Sequence, residues 1–469
     1  MLFNSLIFFI FLPVVFAGYW WIGERRWQNA WLLAASYVFY GWWDWRFLFL
    51  IAGCSAVNFW AGGFIARTDV KWKRRAALIS CVAVCIGTLC IFKYYNFFAE
   101  SLCALFGWNP ASITFKIVLP VGISFFTFQA LSYTIDIARG KLAPTKSWME
   151  YFTFIAFFPQ LVAGPIERAA NLLPQFQKDR KFDCDAALHG LCLMAYGLFK
   201  KMVVADTLAS YVDNVFDMPE LYSSVTCVIA TVFFSLQIYC DFSGYSDVAR
   251  GVARLFGFDL MVNFNRPYLS KSFGEFWRNW HISLSTWFRD YVYIPLGGSR
   301  VAPARWMCNT MVVFLLSGLW HGAAWTFVIW GGIHGVFLTM EGICKRFRSS
   351  TDGTCSRTGR LLRVFWIDFW VAFAWIFFRA GSFDGLSRFL KVLFSGNFQI
   401  SPAALFALRG RVYFLACILS VALLAFSYVF PRDCRFVTNR GKYLYILGCM
   451  AVIVLFAGPS GGEFIYFRF

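Results

Sequence analysis

Three of the chain's four histidines, His281, His321 and His334, fall between Glu275 and His334. An imidazole whose pKa lies near neutrality can take a proton from a hydroxyl and return it to a leaving group, so histidines gathered in an apolar chain point first to general acid–base chemistry. His281 and His321 each follow a tryptophan, Trp280 and Trp320, whose bulk excludes water. His321 also lies between Gly318 and Gly322, where backbone or ligand can come close. His334 follows His321 by 13 positions. On a continuous helix that is about 20 Å, too far to share one substrate atom, and His334 is read as support for helix packing. His189, isolated before Gly190, is read as a neutral imidazole hydrogen-bonded between helices. No convincing Ser, His, Asp set and no H-E-x-x-H pair occurs, and the 15 cysteines include no C-x-x-C. A covalent serine and a metal are therefore not expected, and the thiols read as small buried hydrophobes.

The elements that must position these residues are membrane helices. Hydrophobic residues make up 59% of the chain and charged ones 14%, and apolar runs of spanning length recur from end to end. The formal charge of +18 would raise nucleic-acid binding in a soluble protein. Here the basic residues sit in short links between apolar runs, so they orient the chain by the positive-inside rule, with a smaller share left for attracting anionic ligands or headgroups. The expected fold is an all-α polytopic membrane protein with about 11–12 transmembrane helices plus re-entrant and interfacial helices.

Leu2 to Ile22 reads as a retained first helix with its amino end outside, because no Lys or Arg precedes Arg25. Ala30 to Leu50 crosses outward and Ala52 to Ala66 returns to the basic link of Arg67, Lys71, Lys73, Arg74 and Arg75. Ala76 to Phe98 leaves again, and Ile117 to Ile137 comes back to Arg139, Lys141 and Lys146. Ala186 to Asp206 leads out to Asp213, Asp217 and Glu220. Val225 to Cys240 returns and ends at Asp241-Phe242-Ser243-Gly244-Tyr245-Ser246-Asp247. Leu361 to Ala380, Val412 to Phe430 and Tyr443 to Ala457 make the last crossings, with Arg432, Arg435, Arg440 and Lys442 inside.

Two apolar arms are short. Tyr151 to Ala163, closed by Gly164-Pro165 and basic on both flanks, is about 20 Å of helix against a core of about 30 Å. It reads as a re-entrant segment and a candidate wall of the active site. Trp306 to Leu316 and Ala323 to Glu341 form a hairpin with His321 at its turn, the first arm being about 17 Å. Between Val248 and Arg305 nothing spans. Trp277, Trp280, Trp287, Tyr291 and Tyr293 alternate with Arg278 and Arg289, as in helices lying at the bilayer interface. Ser382 to Ala407 includes an amphipathic stretch expected along a surface. With no soluble domain, linker or repeat in sight, the chain reads as one integral-membrane domain, residues 1–469, with 248–341 as its core catalytic segment.

Phe276-Trp277-Arg278-x-Trp280-His281-Ile282-Ser283-Leu284-Ser285-Thr286-Trp287-x-Arg289-Asp290-Tyr291, followed by Leu296-Gly297-Gly298 and Gly318-Leu319-Trp320-His321-Gly322, resembles the membrane-bound O-acyltransferase family. The similarity is to its bacterial branch of alginate O-acetylation and teichoic-acid D-alanylation proteins. Leu119-Pro120-Val121-Gly122-Ile123-Ser124-Phe125, Ala163-Gly164-Pro165 and the Asp241–Asp247 run are also similar to that branch. Asn279 departs from the basic residue common there.

The resemblance implies transfer of an acyl group, expected to be acetyl, from cytoplasmic acetyl-CoA through a bacterial inner membrane to an external polysaccharide such as cellulose or alginate. It implies His321 as the catalytic histidine and His281 as a second active-site residue. Trp277, Arg278, Trp280, Arg289, Asp290 and Trp320 are the candidate donor or acceptor contacts. The implied partners are a periplasmic SGNH-hydrolase-like acetyltransferase, the polysaccharide synthesis machinery and membrane lipids. No bound cofactor, metal or nucleic acid is expected. D-alanyl transfer to teichoic acid is the alternative within the class, and a transporter or flippase, or a silent assembly scaffold, the alternatives outside it.

Overall fold

A computed structural model describes residues 1–162, 164–347, 356–399, 410–427 and 438–457. Ala163, Arg348, the end of the Ser382–Ala407 stretch, and Phe430, Arg432 and Arg435 lie outside the described residues. Among the described residues the regular structure is entirely helical.

The Cα positions group into two compact units. The first comprises Met1–Met194, Tyr245–Met261 and Val437–Tyr443, the second Ala195–Gly244, Val262–Phe436 and Leu444–Phe469. In the first unit α1 (Leu6–Trp21), α2 (Arg25–Gly41), α3 (Phe47–Arg67), α4 (Lys71–Leu89), α5 (Tyr95–Phe106) and α6 (Ile123–Ala138) precede two short pieces, α7 (Trp148–Ala156) and α8 (Phe158–Leu161). These pieces are the expected short arm. Pro159 follows the break at Phe157, where the chain leaves helical geometry. The freed backbone is satisfied from its surroundings: Gln129 and Gln160 both donate to the Phe154 carbonyl, and the Phe158 N–H donates to Ser36. α9 (Ala169–Phe176) follows.

α10 (Cys184–Leu198) passes through a π-helical segment, Phe199–Ala205, into α11 (Asp206–Asp217). α12 (Ser224–Leu255) is a single helix of 32 residues, so the expected end at Asp241 is not there: Asp241 to Asp247 run through its middle. Both carboxylates are satisfied without leaving the helix. Lys201 lies 2.6 Å from Asp241 and 2.7 Å from Asp206, all three buried, and Asp247 pairs with Arg250 one turn on at 3.3 Å. Lys200 donates to Ser243 at 3.0 Å.

The second unit continues with α13 (Phe273–Asn279), α14 (Ile282–Phe288), α15 (Pro303–His321), α16 (Trp325–Phe347), α17 (Arg357–Ala380) and the amphipathic α18 (Phe383–Leu393); the last helices among the described residues are α19 (Gly410–Ser427) and α20 (Asn439–Phe456). The hairpin expected around His321 is α15–α16, but its first arm has 19 residues, about 28 Å at helical rise. Apolar character alone marked only its centre; Pro303 starts the helix well before that run and His321 ends it well after.

Seven helices among the described residues are long and apolar enough to cross a membrane, and Leu6–Trp21 and Phe414–Ala425 are shorter apolar helices. The shortfall from about 11–12 comes from elements such as α6, with 16 residues, and α7–α8, which is broken. Lipid-facing character is plain on α4–α5, where only 17% of the apolar window is buried, against 89% for the helix containing Lys201.

Candidate active site

His281 occupies the residue before α14 with φ of +43°, the left-handed region that costs an L side chain about 1 kcal/mol. The chain on either side is tied to the 263–265 segment. The Asn265 N–H donates to the Asn279 carbonyl and the Ile282 N–H to the Asn263 carbonyl, each at 2.9 Å. The Asn263 side-chain oxygen accepts from the Ser283 N–H at 3.2 Å and from its hydroxyl at 2.8 Å. A strained residue held from both sides is the arrangement that aims a side chain. The aimed ring is fully buried, with Phe242 at 4.6 Å, Trp320 at 5.8 Å and His321 at 6.3 Å between centroids. Burial pushes its pKa down to about 3, so it is neutral at physiological pH.

His321 is the last residue of α15, at the carbonyl end, so the sequence reading of a histidine at the turn holds. Its ring meets Trp330 edge-on at 5.0 Å and Phe378 at 5.4 Å. The depth of α15 is set by glycine. A Cβ on Gly318 would overlap the Phe327 carbonyl oxygen, and one on Gly331 the Phe314 carbonyl oxygen, so α15 and α16 touch backbone to backbone. The space beside Gly322, expected for backbone or ligand, is taken by the Phe327 ring.

His334 accepts a hydrogen bond from the Trp277 indole at Nδ1, 3.3 Å. Indole is a donor only, so neutral His334 carries its proton on Nε2. Trp330 stands between it and His321, its ring 5.1 Å from one and 5.0 Å from the other. His189 contacts the Arg254 side chain, which pairs with Asp259 at 2.9 Å.

A cavity of about 340 Å³ is lined by Trp277, Arg278, Ser285, Arg289, Thr310 and Ser317 among others, and neither His281 nor His321 is one of its lining residues. Ser317 lies one turn before His321 on α15, and Ser285 about one turn after His281. Arg289 opens a π-helical turn, Arg289–Tyr293, and pairs with Asp290 at 2.8 Å. The structure therefore brings His281, His321 and Trp320 together and puts Trp277, Arg278 and Arg289 on the cavity, with Asp290 paired to Arg289 but not among the lining residues. Trp280 is elsewhere: fully buried, it packs among Phe264, Phe276 and Trp375 at 5.0 to 5.5 Å.

Sequence reasoning passed over Asn263, Phe242 as the partner of His281, and the Lys201 charge cluster. The lysines left a signal, since Lys200 and Lys201 interrupt an apolar run, and an ionisable residue inside a spanning helix marks a site by default. Asn263 left none, because its partner Ser283 is 20 positions away.

His281 and His321, both buried and with ring centroids 6.3 Å apart, are residue types able to transfer protons. Residues 141–381 match the membrane-bound O-acyltransferase family. The chain is 41% identical over 409 residues to the protein named probable alginate O-acetylase AlgI of Pseudomonas aeruginosa, which covers 86% of this chain and 76% of that one. It is 40% identical over 407 residues to the protein of the same name from Azotobacter vinelandii, covering 86% and 80%. It is 34% identical over 422 residues to the peptidoglycan O-acetyltransferase of Helicobacter pylori, covering 83% and 79%. The chain belongs to the membrane-bound O-acyltransferase family. It is a multi-pass membrane enzyme, an O-acyltransferase.

Proposed function

We propose that this enzyme moves an acetyl group from acetyl-CoA on the cytoplasmic side of a bacterial inner membrane towards O-acetylation of an external polysaccharide, with a periplasmic hydrolase-like partner completing the transfer. The observation that carries the reading is the pairing of His281 and His321, buried with ring centroids 6.3 Å apart, close enough to flank one reacting group. His321 takes the proton of an acceptor hydroxyl as its oxygen attacks the thioester carbonyl. The C–O bond forms, the C–S bond breaks, and the imidazolium returns the proton to the departing thiolate. The carbonyl end of α15 favours positive charge on that ring while it holds the proton. Neutral His281 offers a hydrogen bond without competing for the proton, and Arg278 and Arg289 on the cavity suit the phosphates of the donor. Relatives named for alginate and peptidoglycan acetylation support a polysaccharide acceptor.

Purified protein supplied with radiolabelled acetyl-CoA, the periplasmic partner and polysaccharide oligomers is expected to transfer label, and His321→Ala to lose turnover by about 10²- to 10⁴-fold, the range for a general base, while remaining folded. Undiminished turnover removes His321 from the mechanism. Movement of substrate without acyl transfer favours a transporter, and full polymer acetylation in cells carrying His321→Ala favours a scaffold. Turnover only with a D-alanyl carrier protein as donor favours D-alanylation.

A further inference from the structure

α3, α4 and α6 pack on one another, and the carboxyl end of α3, the amino end of α4 and the carboxyl end of α6 share one end of this bundle. Arg74 ties two of them together by donating to the Ala138 carbonyl at the end of α6. Arg67, Lys71, Lys73, Arg75 and Lys141 are exposed there. Among the described residues none of these five lies within 4.0 Å of a carboxylate oxygen. In the second unit, Arg379 pairs with Asp213 and Asp217, and Arg388 with Asp384 and Glu220. The five cations on the α3–α4–α6 end thus form no ion pair of this kind and outnumber Asp69, the carboxylate in the link between α3 and α4.

The cations also continue into apolar surface on the same helix faces. Phe64 and Trp60 lie three and seven positions before Arg67 on α3, and Ile79 and Ile86 lie four and eleven positions after Arg75 on α4; these spacings stack side chains along one face. All four are exposed, Trp60 at 70% and Ile79 at 56%. A small anion would use only the charged end. A soluble acidic protein has nothing to lay along a helix face inside the membrane. A ligand with a phosphate joined to long hydrocarbon chains uses both.

We propose that this surface binds an anionic diacyl phospholipid, its phosphate met by Arg67, Lys71 and Arg75 and its acyl chains lying along Trp60–Phe64 and Ile79–Ile86. This stands apart from the catalytic reading, and either can fail without the other. The test is native mass spectrometry of the full-length protein in mild detergent, titrated with phosphatidylglycerol or with phosphatidylcholine of the same chains. Phosphatidylglycerol is expected to remain bound at concentrations where phosphatidylcholine does not. The variant Arg67→Gln/Lys71→Gln/Arg75→Gln should weaken its retention at least tenfold, and Arg67→Lys/Lys71→Arg/Arg75→Lys should keep it. Neutralising Arg46, Lys345 and Arg388, which are exposed but ion-paired within the protein, should leave it unchanged. Equal retention of the two lipids, equal loss in both neutralised variants, or displacement by millimolar glycerol phosphate would each overturn the proposal, the last by showing a site for the phosphate alone.

Discussion

The backbone around His281 is bent against its preference and tied down by hydrogen bonds to Asn263 and Asn265, whereas that around His321 is ordinary helix whose place is set by missing side chains at Gly318 and Gly331. Hydrogen bonds are directional and individually modest, so they fix the aim of one ring and can be loosened by degrees. Backbone-to-backbone packing fixes a distance between whole helices, and interiors resist continuous deformation. The two imidazoles meet because one device sets direction and the other sets depth.

The depth side should break hardest. Gly331→Leu forces α15 and α16 apart at the Phe314 carbonyl, and overpacking of this kind costs about 3 kcal/mol. Because α15 carries His321 at its end, the variant is expected to melt lower and to lose transferase activity together with stability. Melting and turnover that both match wild type would show that the glycine contact does not set the position of His321.

The direction side should yield more gently. Asn263→Ala removes the acceptor of both Ser283 hydrogen bonds and leaves a buried N–H unmatched, a cost of about 2 kcal/mol. The expected result is a fall in kcat with little change in KM and a smaller drop in melting temperature than for Gly331→Leu. Asn263→Asp, which keeps an acceptor oxygen, should recover part of the kcat. A loss of kcat that Asp does not restore would reduce Asn263 to a general stabilising role.

The same contrast explains what could be read in the chain beforehand. His321 at a helix turn, the helical class and the hairpin were legible because hydropathy and glycine placement are local properties. The length of α15 was not: Arg305 and Ser317 bound the apolar run on its two sides, yet the helix continues through both, from Pro303 to His321. The helical Asp241–Asp247 run was taken as the end of a crossing for a related reason. Its carboxylate Asp241 is neutralised by Lys201, 40 positions earlier, and a charge paired in space looks like a break when only its neighbours in sequence are visible. The left-handed turn at His281 has no sequence mark, since neither glycine nor proline sits there.

The turn itself gives a finer comparison. Asn tolerates positive φ, whereas a β-branched residue does not. His281→Asn should therefore keep a melting temperature near wild type, and His281→Val should lose about 1–2 kcal/mol. No such difference is expected for the same pair at His321, which has helical geometry on its amino side. Equal stability of His281→Asn and His281→Val would mean that the turn relaxes at no cost.

The smallest effect expected is in the pH dependence of stability. The His281 pKa falls from its ordinary 6.5 to about 3 because burial among Phe242, Trp320 and His321 disfavours the charged ring. Between those two values the unfolded chain binds a proton at this position and the folded chain does not. Stability therefore rises with pH across the window: this contribution is fully present above 6.5 and is lost as pH falls towards 3. His281→Asn removes the titrating group while keeping the backbone geometry, so its melting temperature should fall less than that of wild type on going from pH 7 to pH 4.5. Parallel falls in the two proteins would place the acid sensitivity on other groups and show that the His281 ring accepts a proton in the folded state as readily as in the unfolded one.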